Sequence, residues 1–355
     1  MFKEKTFWAS LVVFLVTAVI ILGASPLMAE KKTFRAATLI YNNLRVDYYG
    51  WHRMLDLIQE RTGGNITFKR MERAIIGDNV QMHEAVMKGT IDISKGWAPI
   101  LANHSVSARA LLLPFLLNYP EDILWLIESP EARELLDAIG KEAGVYVLTS
   151  GIYEERHFFN NKRPVRNMAD VKGLRIRTLE SKAEQEWVAM TGARPGPSSF
   201  PELYNMLKTG VFDGYDGNFT VHDSMKYYEV NKYVTKMGYH NIGPVILVNL
   251  ETWNKLSSAE KKIFRESAHQ AMVENYAQGR RMVQRAEQVA LKHGNLVIEE
   301  LQDREKWVEA VQPYIAKWRQ KSPVIDKYVR AVQTYHEKYP RWPIDVNQKV
   351  PKGKW

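Results

Sequence analysis

The sequence predicts an α/β protein, because short apolar segments typical of strands alternate with segments of helical periodicity along most of the chain. Two further observations shape this prediction. The 355 residues are 45% hydrophobic, which is enough for one large domain or two medium ones. Ser257 and Glu260 form a capping box that opens a helix running to Gly294, and a helix of that length usually lies across more than one domain. If there are two domains, we expect the chain to cross between them more than once.

The elements of the first half follow from apolar spacing and from the glycines that end them. Trp51, Met54 and Ile58 lie on one face of a helix that stops at Gly63. Ile66 and its neighbours alternate as the residues of a strand do. Strands are predicted at residues 34–41, 65–71, from 91 onward, 145–149 and 156–161, and further helices at 79–88 and 130–139.

The second half continues the same rhythm. We predict a buried strand at 173–177, helices at 181–190 and 200–209, a short strand at 211–214 and then the long capped helix. The apolar face of the long helix comprises Phe264, Ala268, Met272, Tyr276, Val283, Ala286 and Ala290.

Charge and cysteine content exclude several functional classes. Lys and Arg number 49 against 40 Asp and Glu, and the net charge of +9 attracts anions without specifying them. The chain has no cysteine, which excludes zinc fingers, iron–sulfur clusters, thiol nucleophiles, disulfides and a lipid-bearing N-terminal cysteine.

The N-terminus has the pattern of a secretory signal. Lys3 and Lys5 precede an apolar run at 7–24, and Ala29 offers a small residue for cleavage before a polar start. The prediction is a cleaved signal peptide at 1–29 and a periplasmic, soluble mature chain. The run is just long enough to span a bilayer, so an uncleaved anchor is the alternative. Export argues against interpreting the basic charge as nucleic-acid binding.

The sequence contains no recognisable catalytic or cofactor motif. It has no nucleophile elbow, no phosphate-binding glycine loop and no dinucleotide fingerprint. His83 and Glu84 begin like a zinc-binding helix, but Met87 stands where the second histidine belongs. We therefore expect no cofactor, no metal and no enzymatic activity.

Several segments follow one another in a specific order, namely GDNVQMHEAVMKGTID at 77–92, LPFL at 113–116, RHFFNNKRP at 156–164, MADVKGLRIR at 168–177, FPELY at 200–204, GVFDG at 210–214 and KYYEV at 226–230. Taken together, they resemble the periplasmic solute-binding proteins of TRAP (tripartite ATP-independent periplasmic) transporters, the DctP-like family. The resemblance covers roughly residues 33 to 290. The resemblance implies a two-lobed, Venus-flytrap periplasmic-binding-protein architecture with a long bridging helix. By the same analogy lobe one holds 30–153 and 242–281, and lobe two holds 154–241 and 282–355.

The resemblance also implies that an arginine clamps the carboxylate of the ligand. The matching residue is Arg177, with Arg156 as a second cationic contact. A guanidinium offers parallel donors that match a carboxylate, and it stays charged when desolvated. Arg177 occupies a strand position that would otherwise favour an apolar residue, which is costly unless an anion compensates. From the residues alone, internal pairing of Arg177 with Asp213 or Glu180 stays open, as does pairing of Arg156 with the adjacent Glu154 and Glu155.

The rest of the expected site departs from the family. The stretch DGYDGN at 213–218 places Gly217 where the family commonly carries an asparagine, with Asn218 one position later. The remaining positions that match cleft-facing residues of the family are Phe200, Trp97, Asn79, Tyr215, Asp216 and Tyr239. Aromatic residues at four of these positions favour a planar, ring-bearing or bulky acid, although core packing would also account for them.

The sequence is best interpreted as an extracytoplasmic binding protein that captures an organic acid and delivers it to TRAP membrane permease subunits. The resemblance implies that an ion gradient drives transport, without ATP or a covalent step. One alternative is a periplasmic lyase or hydrolase for an acidic sugar, with Asp216 as the general base. Another alternative is a ligand-sensing partner of a membrane receptor.

Overall fold

The computed structural model describes residues 31–40, 42–117, 122–151, 154–239 and 244–339. The predicted signal segment at 1–29, the tail beyond Tyr339 and the chain at the predicted lobe borders, near 153 and 241, lie outside these described residues. Across the part of the chain that is described, no helix combines the length and the apolar character needed to cross a membrane.

The described residues form strands and helices that alternate along the chain. The strands are β1 (Lys32–Ala37), β2 (Ile66–Met71), β3 (Ile93–Trp97), β4 (Val145–Ser150), β5 (His157–Asn160), β6 (Arg175–Thr178), β7 (Arg194–Pro197), β8 (Gly214–Gly217), β9 (Tyr233–Thr235), β10 (Pro244–Asn249) and β11 (Leu296–Ile298). The helices are α1 (Val46–Arg61), α2 (Asn79–Met87), α3 (Ala98–Leu101), α4 (Asp122–Glu128), α5 (Pro130–Ala143), α6 (Met168–Val171), α7 (Lys182–Met190), α8 (Leu203–Lys208), α9 (Phe219–Ser224), α10 (Leu250–Asn254), α11 (Ser258–Lys292), α12 (Arg304–Lys321) and α13 (Pro323–Lys338), with 3₁₀ turns at Ser107–Leu112 and Tyr227–Glu229.

The strands belong to two separate mixed sheets. The first sheet has the order β2-β1-β3-β10-β4, in which β1 pairs in parallel with β2 and β3, and β10 runs antiparallel to both of its neighbours. The second has the order β11-β9-β5-β8-β6-β7, with β5 antiparallel to β8 and β9. Because β10 returns to the first sheet after most of the second has formed, the chain crosses between them more than once. The predicted α/β class is confirmed.

Local signals explain why several helices begin where the sequence predicts. At the start of α2 the carboxylate of Asp78 accepts from the backbone N–H of Gln81 at 2.9 Å, and the Gln81 side chain accepts from the Asp78 N–H at 3.0 Å. This capping box satisfies two backbone donors that the helix leaves unpaired. Ser257 and Glu260 make the same arrangement at the start of α11.

Helix α11 is continuous over 35 residues, as its apolar repeat predicts. Its first part packs antiparallel to α1, where the backbone N–H of Gly50 donates to Asn275 Oδ1 at 3.0 Å. Its last part packs against α9, where Arg285 bonds to Asp223 at 2.9 Å. The two C-terminal helices, α12 and α13, have no counterpart among the predicted elements, and α13 packs against α5.

One strand was predicted three residues too early. The expected strand at 211–214 is instead β8, and Val211 lies 49% exposed in the turn before it. Pairing decides the position, because Gly214 lies opposite Asn160 of β5 and Ile176 of β6. A Cβ atom at Gly214 would lie 2.0 Å from the carbonyl oxygen of Phe159, so the chain needs glycine there.

Candidate functional site

A cleft lies between the two sheets, with an empty volume of about 480 Å³ that includes the part open to solvent. It contains nine of the ten residues that the sequence predicts for the site. From the first-sheet side it is lined by Leu39, Arg45, Asn79 and Trp97; from the second-sheet side by Arg156, Arg177, Leu179, Phe200, Leu203, Tyr215, Asp216, Gly217, Asn218 and Val221.

Arg177 lies on β6 and is 3% exposed. Its Nε and Nη2 both donate to the carbonyl oxygen of Ser198, at 3.1 and 2.6 Å, which fixes one edge of the guanidinium. Among the described residues no carboxylate lies within 4.0 Å of it, so neither Asp213 nor Glu180 pairs with it; Asp213 bonds to Arg175 at 2.7 Å instead. Burial lowers the pKa of Arg177 because the charged form loses its hydration.

Arg156 is neutralised within the protein. Its Nε donates to Asp216 Oδ1 at 3.0 Å and its Nη2 to the Asp216 carbonyl at 2.9 Å. Glu184 lies 3.7 Å from Nη2. Burial acts to lower the pKa of Arg156, but Asp216 and Glu184 raise it well above its ordinary value. The adjacent Glu154 is not its partner, since Glu154 accepts from the backbone N–H of Thr220 at 3.1 Å.

Arg45, which the sequence analysis missed, contributes a third arginine to the cleft. It is 3% exposed, and its Nε and Nη2 reach the two carboxylate oxygens of Asp47 at 3.3 and 3.4 Å. Asp47 also bonds to the ammonium of Lys95, so two buried cations share one carboxylate. Burial acts to raise the pKa of Asp47, but Arg45 and Lys95 together lower it. The sequence holds one signal for this residue. Arg45 stands immediately before α1, where a small polar capping residue is usual, and its side chain does not cap the helix.

Trp97 and Phe200 face the cleft on either side of Arg45. The Arg45 guanidinium carbon lies 5.8 Å from the Trp97 ring centre and 5.6 Å from that of Phe200, within the range of a cation–π contact. The backbone N–H of Trp97 donates to Nε2 of His83 at 2.9 Å, and burial lowers the pKa of His83 to about 3. His83 is therefore a neutral structural acceptor that fixes the end of β3.

Asn79 and Asn218 supply neutral polar groups at the two sides of the cleft. Asn79 is the first residue of α2, and within the described chain its buried Oδ1 has no hydrogen-bond partner. Asn218 caps α9 through its Oδ1, which accepts from the backbone N–H of Val221 at 3.1 Å. The cap occupies the oxygen of Asn218 and leaves its Nδ2 group as the donor it can offer to the cleft.

Tyr239 lies behind the cleft rather than in its lining. It is fully buried, and its ring centre is 4.6 Å from that of Trp187. Burial raises the pKa of Tyr239 well above its ordinary value, and the negative charge of Asp216 adds to the shift. Among the ten predicted site residues, it is the one that does not line the cleft.

Among the described residues, no group of three or more His, Asp or Glu side chains is arranged to hold a metal ion. The only catalytic base proposed from the sequence, Asp216, is held by Arg156. The cleft thus offers charge and hydrogen bonds for recognition, which is what a binding site requires.

Comparison with known proteins agrees with this geometry. Residues 42–321 match the model of the DctP family, described as bacterial extracellular solute-binding protein, family 7. A solute-binding protein of Chromohalobacter salexigens is 26% identical over 276 residues, which cover 78% of this chain and 82% of that protein. The sialic acid-binding periplasmic protein SiaP of Vibrio cholerae is 26% identical over 269 residues, 76% of this chain and 83% of its own.

A solved structure supports the same similarity at the level of the fold. A TRAP periplasmic solute-binding protein from Desulfovibrio salexigens, with bound orotic acid, superposes with a TM-score of 0.80 at 25% identity. The match covers 86% of this chain and 99% of that one.

Proposed function

This chain belongs to family 7 of the bacterial extracellular solute-binding proteins, the binding proteins of TRAP transporters, and from that premise we propose that Arg177 holds the carboxylate of an organic acid in the cleft. The family consists of periplasmic binding proteins rather than enzymes. The alternative of a lyase or hydrolase for an acidic sugar is therefore wrong, and Asp216 has a structural partner instead of a catalytic role.

The observation that carries the proposal is the hydrogen bonding of Arg177. Nε and one N–H of Nη2 are used by Ser198, and no described residue accepts from Nη1. The Nη1–Nη2 edge of the guanidinium thus retains two parallel donors, the geometry that a carboxylate fits. A buried cation without a carboxylate within 4.0 Å is costly, and an incoming anion removes that cost. Arg156 is already paired with Asp216, so we assign the carboxylate of the ligand to Arg177.

Residues on both sides of the cleft would contact the ligand, which couples ligand binding to closure of the two lobes. We assign 30–153 with 242–281 to lobe one and 154–241 with 282–355 to lobe two, with α13 packing back against α5. A ligand held by Arg177 on one side and by Asn79 and Trp97 on the other favours the closed form, because only that form offers both sets of contacts. In this proposal the segment 1–29 directs export and is removed, and the closed form delivers its ligand to the TRAP permease subunits.

The relatives suggest which acids to test first. SiaP binds sialic acid and the Desulfovibrio salexigens protein holds orotic acid, and both ligands are ring-bearing monocarboxylates. We propose a ligand of that general class. A thermal-shift screen of protein freed of ligand by unfolding and refolding, with sialic acid, orotic acid, D-glucuronate and succinate beside their neutral amides, measures this directly.

Calorimetry of two variants on the same strand then tests the clamp. Arg177→Ala should weaken binding of the best acid by about 2 to 5 kcal/mol, because its carboxylate loses a desolvated charge partner. Arg175→Ala is the matched control, since Arg175 is half exposed and bonds to Asp213 outside the cleft. Unchanged affinity in Arg177→Ala would refute the clamp, and equal losses in both variants would show a general structural effect.

A further inference from the structure

Tyr215 and Gly217 lie on the same face of β8, and the Tyr215 ring fills the space that a side chain at position 217 would occupy. A Cβ atom at Gly217 would lie 2.2 Å from Cε2 of Tyr215 and 2.7 Å from its Cδ2, closer than side-chain carbons approach one another. The Tyr215 ring also stacks on Phe159, with ring centres 4.8 Å apart and planes inclined by 14°. The ring and the glycine are therefore mutually dependent, and a side chain at 217 requires that the ring move.

A chain of buried hydrogen bonds holds the Tyr215 ring in this place. Asn295 donates through Nδ2 to the carbonyls of Tyr228 and Asn231, at 3.3 and 3.0 Å. Its Oδ1 must therefore accept from Nε2 of His222, 2.5 Å away.

The hydrogen on His222 Nε2 leaves Nδ1 as an acceptor, and the hydroxyl of Tyr215 donates to it at 3.0 Å. Burial lowers the pKa of His222 to about 4, which keeps this neutral tautomer at physiological pH.

We propose that Tyr215 and Gly217 together determine the specificity of the cleft and favour an aryl or heteroaryl carboxylate over a polyhydroxy acid, with His222 as the positioning residue. This inference rests on the proposed function. At position 217 the cleft has no side chain and borders the Tyr215 ring, which suits a flat apolar group and offers no side-chain partner for a hydroxyl at that point. The other apolar lining residues are Leu39, Trp97, Leu179, Phe200, Leu203 and Val221.

The shared volume is tested by stability, without any ligand. Gly217→Ala should lower the melting temperature by roughly 2 to 6 °C, because its methyl group displaces the ring. In a Tyr215→Ala background the same substitution should lower it by less than about 1 °C, because the obstructing ring is gone. Equal losses of melting temperature in both backgrounds would show that the Tyr215 ring does not obstruct a side chain at position 217. If Tyr215→Ala does not fold, Tyr215→Val provides the second background.

The specificity is tested by the ratio of two dissociation constants, that for D-gluconate divided by that for benzoate. The wild-type ratio should exceed one, and Tyr215→Leu should reduce it roughly 3- to 10-fold, the range of an aromatic contact. Tyr204→Leu is the matched control, because Tyr204 bonds to Glu229 outside the cleft lining, and its ratio should equal that of the wild type. A wild-type ratio of one or less, or a ratio unchanged by Tyr215→Leu, would overturn the inference.

The positioning role of His222 is tested by the same ratio. Tyr215→Phe and His222→Leu should lower it by the same factor, and the double variant should lower it no further, because both remove the hydrogen bond between Tyr215 and His222. His222→Asn, which keeps an acceptor near the Nδ1 position, should restore the ratio. Additive losses, or failure of this rescue, would reduce His222 to a packing residue. Failure of every acid, including D-glucuronate and succinate, to bind the wild type would refute the proposed function itself, whereas binding with an unaltered ratio refutes only the specificity inference.

Discussion

Replacing Lys95 by methionine should remove a pH-dependent loss of stability that arises in the buried cluster of Arg45, Asp47 and Lys95. Lys95 is 1% exposed and shares the carboxylate of Asp47 with Arg45. Burial lowers the pKa of Lys95 from 10.5 to about 8, because the lost hydration of the ammonium outweighs the attraction of Asp47, and the charge of Arg45 adds to the effect. Each pKa unit corresponds to about 1.4 kcal/mol, so the charged lysine costs the folded state about 3 kcal/mol.

The direction of the pH dependence follows from where the proton is held. Below pH 8 the lysine is charged in both the folded and the unfolded chain, and the whole cost is present. Between pH 8 and 10.5 the unfolded chain binds more protons than the folded one, so stability rises with pH. Above this window the cost has disappeared. Methionine is similar in length and carries no charge, and Arg45 remains as the counter-charge of Asp47, so Lys95→Met lacks this pH dependence.

Urea unfolding of both proteins at pH 7, 8, 9 and 10 measures the effect. Between pH 8 and 10 the free energy of unfolding of the wild type should rise by roughly 1.4 kcal/mol per pH unit relative to that of Lys95→Met. Tyrosine ionisation affects both proteins equally and cancels in this difference. Lys255→Met is the control, because Lys255 pairs with Glu251 on an exposed helix face. The unfolding free energy of this variant should change with pH in parallel with that of the wild type. Parallel curves for the wild type and Lys95→Met would refute the burial argument.

Two further predictions concern the cleft. Asp216→Asn should destabilise the fold by about 3 to 5 kcal/mol in urea titration, because Arg156 loses the charge of the carboxylate it bonds to and Glu184 lies further away, at 3.7 Å. Asp137→Asn, in an exposed helical pair, is the control and should change stability by less than about 0.5 kcal/mol. A similarly small effect of Asp216→Asn would contradict the buried-pair interpretation. Trp97→Ala should weaken binding of ring-bearing acids more than that of succinate in calorimetry, because the ring lines the cleft; equal weakening would remove Trp97 from ligand discrimination.

Elements with local signals were predictable from the sequence. The capping boxes and apolar repeats of α2 and α11 place both helices within one or two residues, because those signals act within a single helical turn. β8 was not predictable to the same accuracy, since its start is decided by pairing with β5 and β6, which lie 38 or more residues away along the chain.

The site likewise has a part that local motifs predict and a part that depends on contacts between distant segments. Arg177 and Gly217 stand in recognisable motifs, and the structure places both in one cleft. The partner of Arg156 was not visible, because Glu154 and Glu155 are adjacent in sequence while Asp216 is brought across by the sheet. Arg45 lies in no motif, and its position between two rings depends on how the two sheets face each other.

The length of α11 has a mechanical consequence. With 35 residues and a rise of 1.5 Å per residue, the helix is about 50 Å long. Helix α1 packs against the first part of α11 and α9 packs against its last part, so both parts of the helix are held by neighbours. A bend of about 10° near its middle would move an end by roughly 4 Å, more than the length of a hydrogen bond. A small angular adjustment in this helix is therefore enough to make or break a hydrogen bond across the cleft.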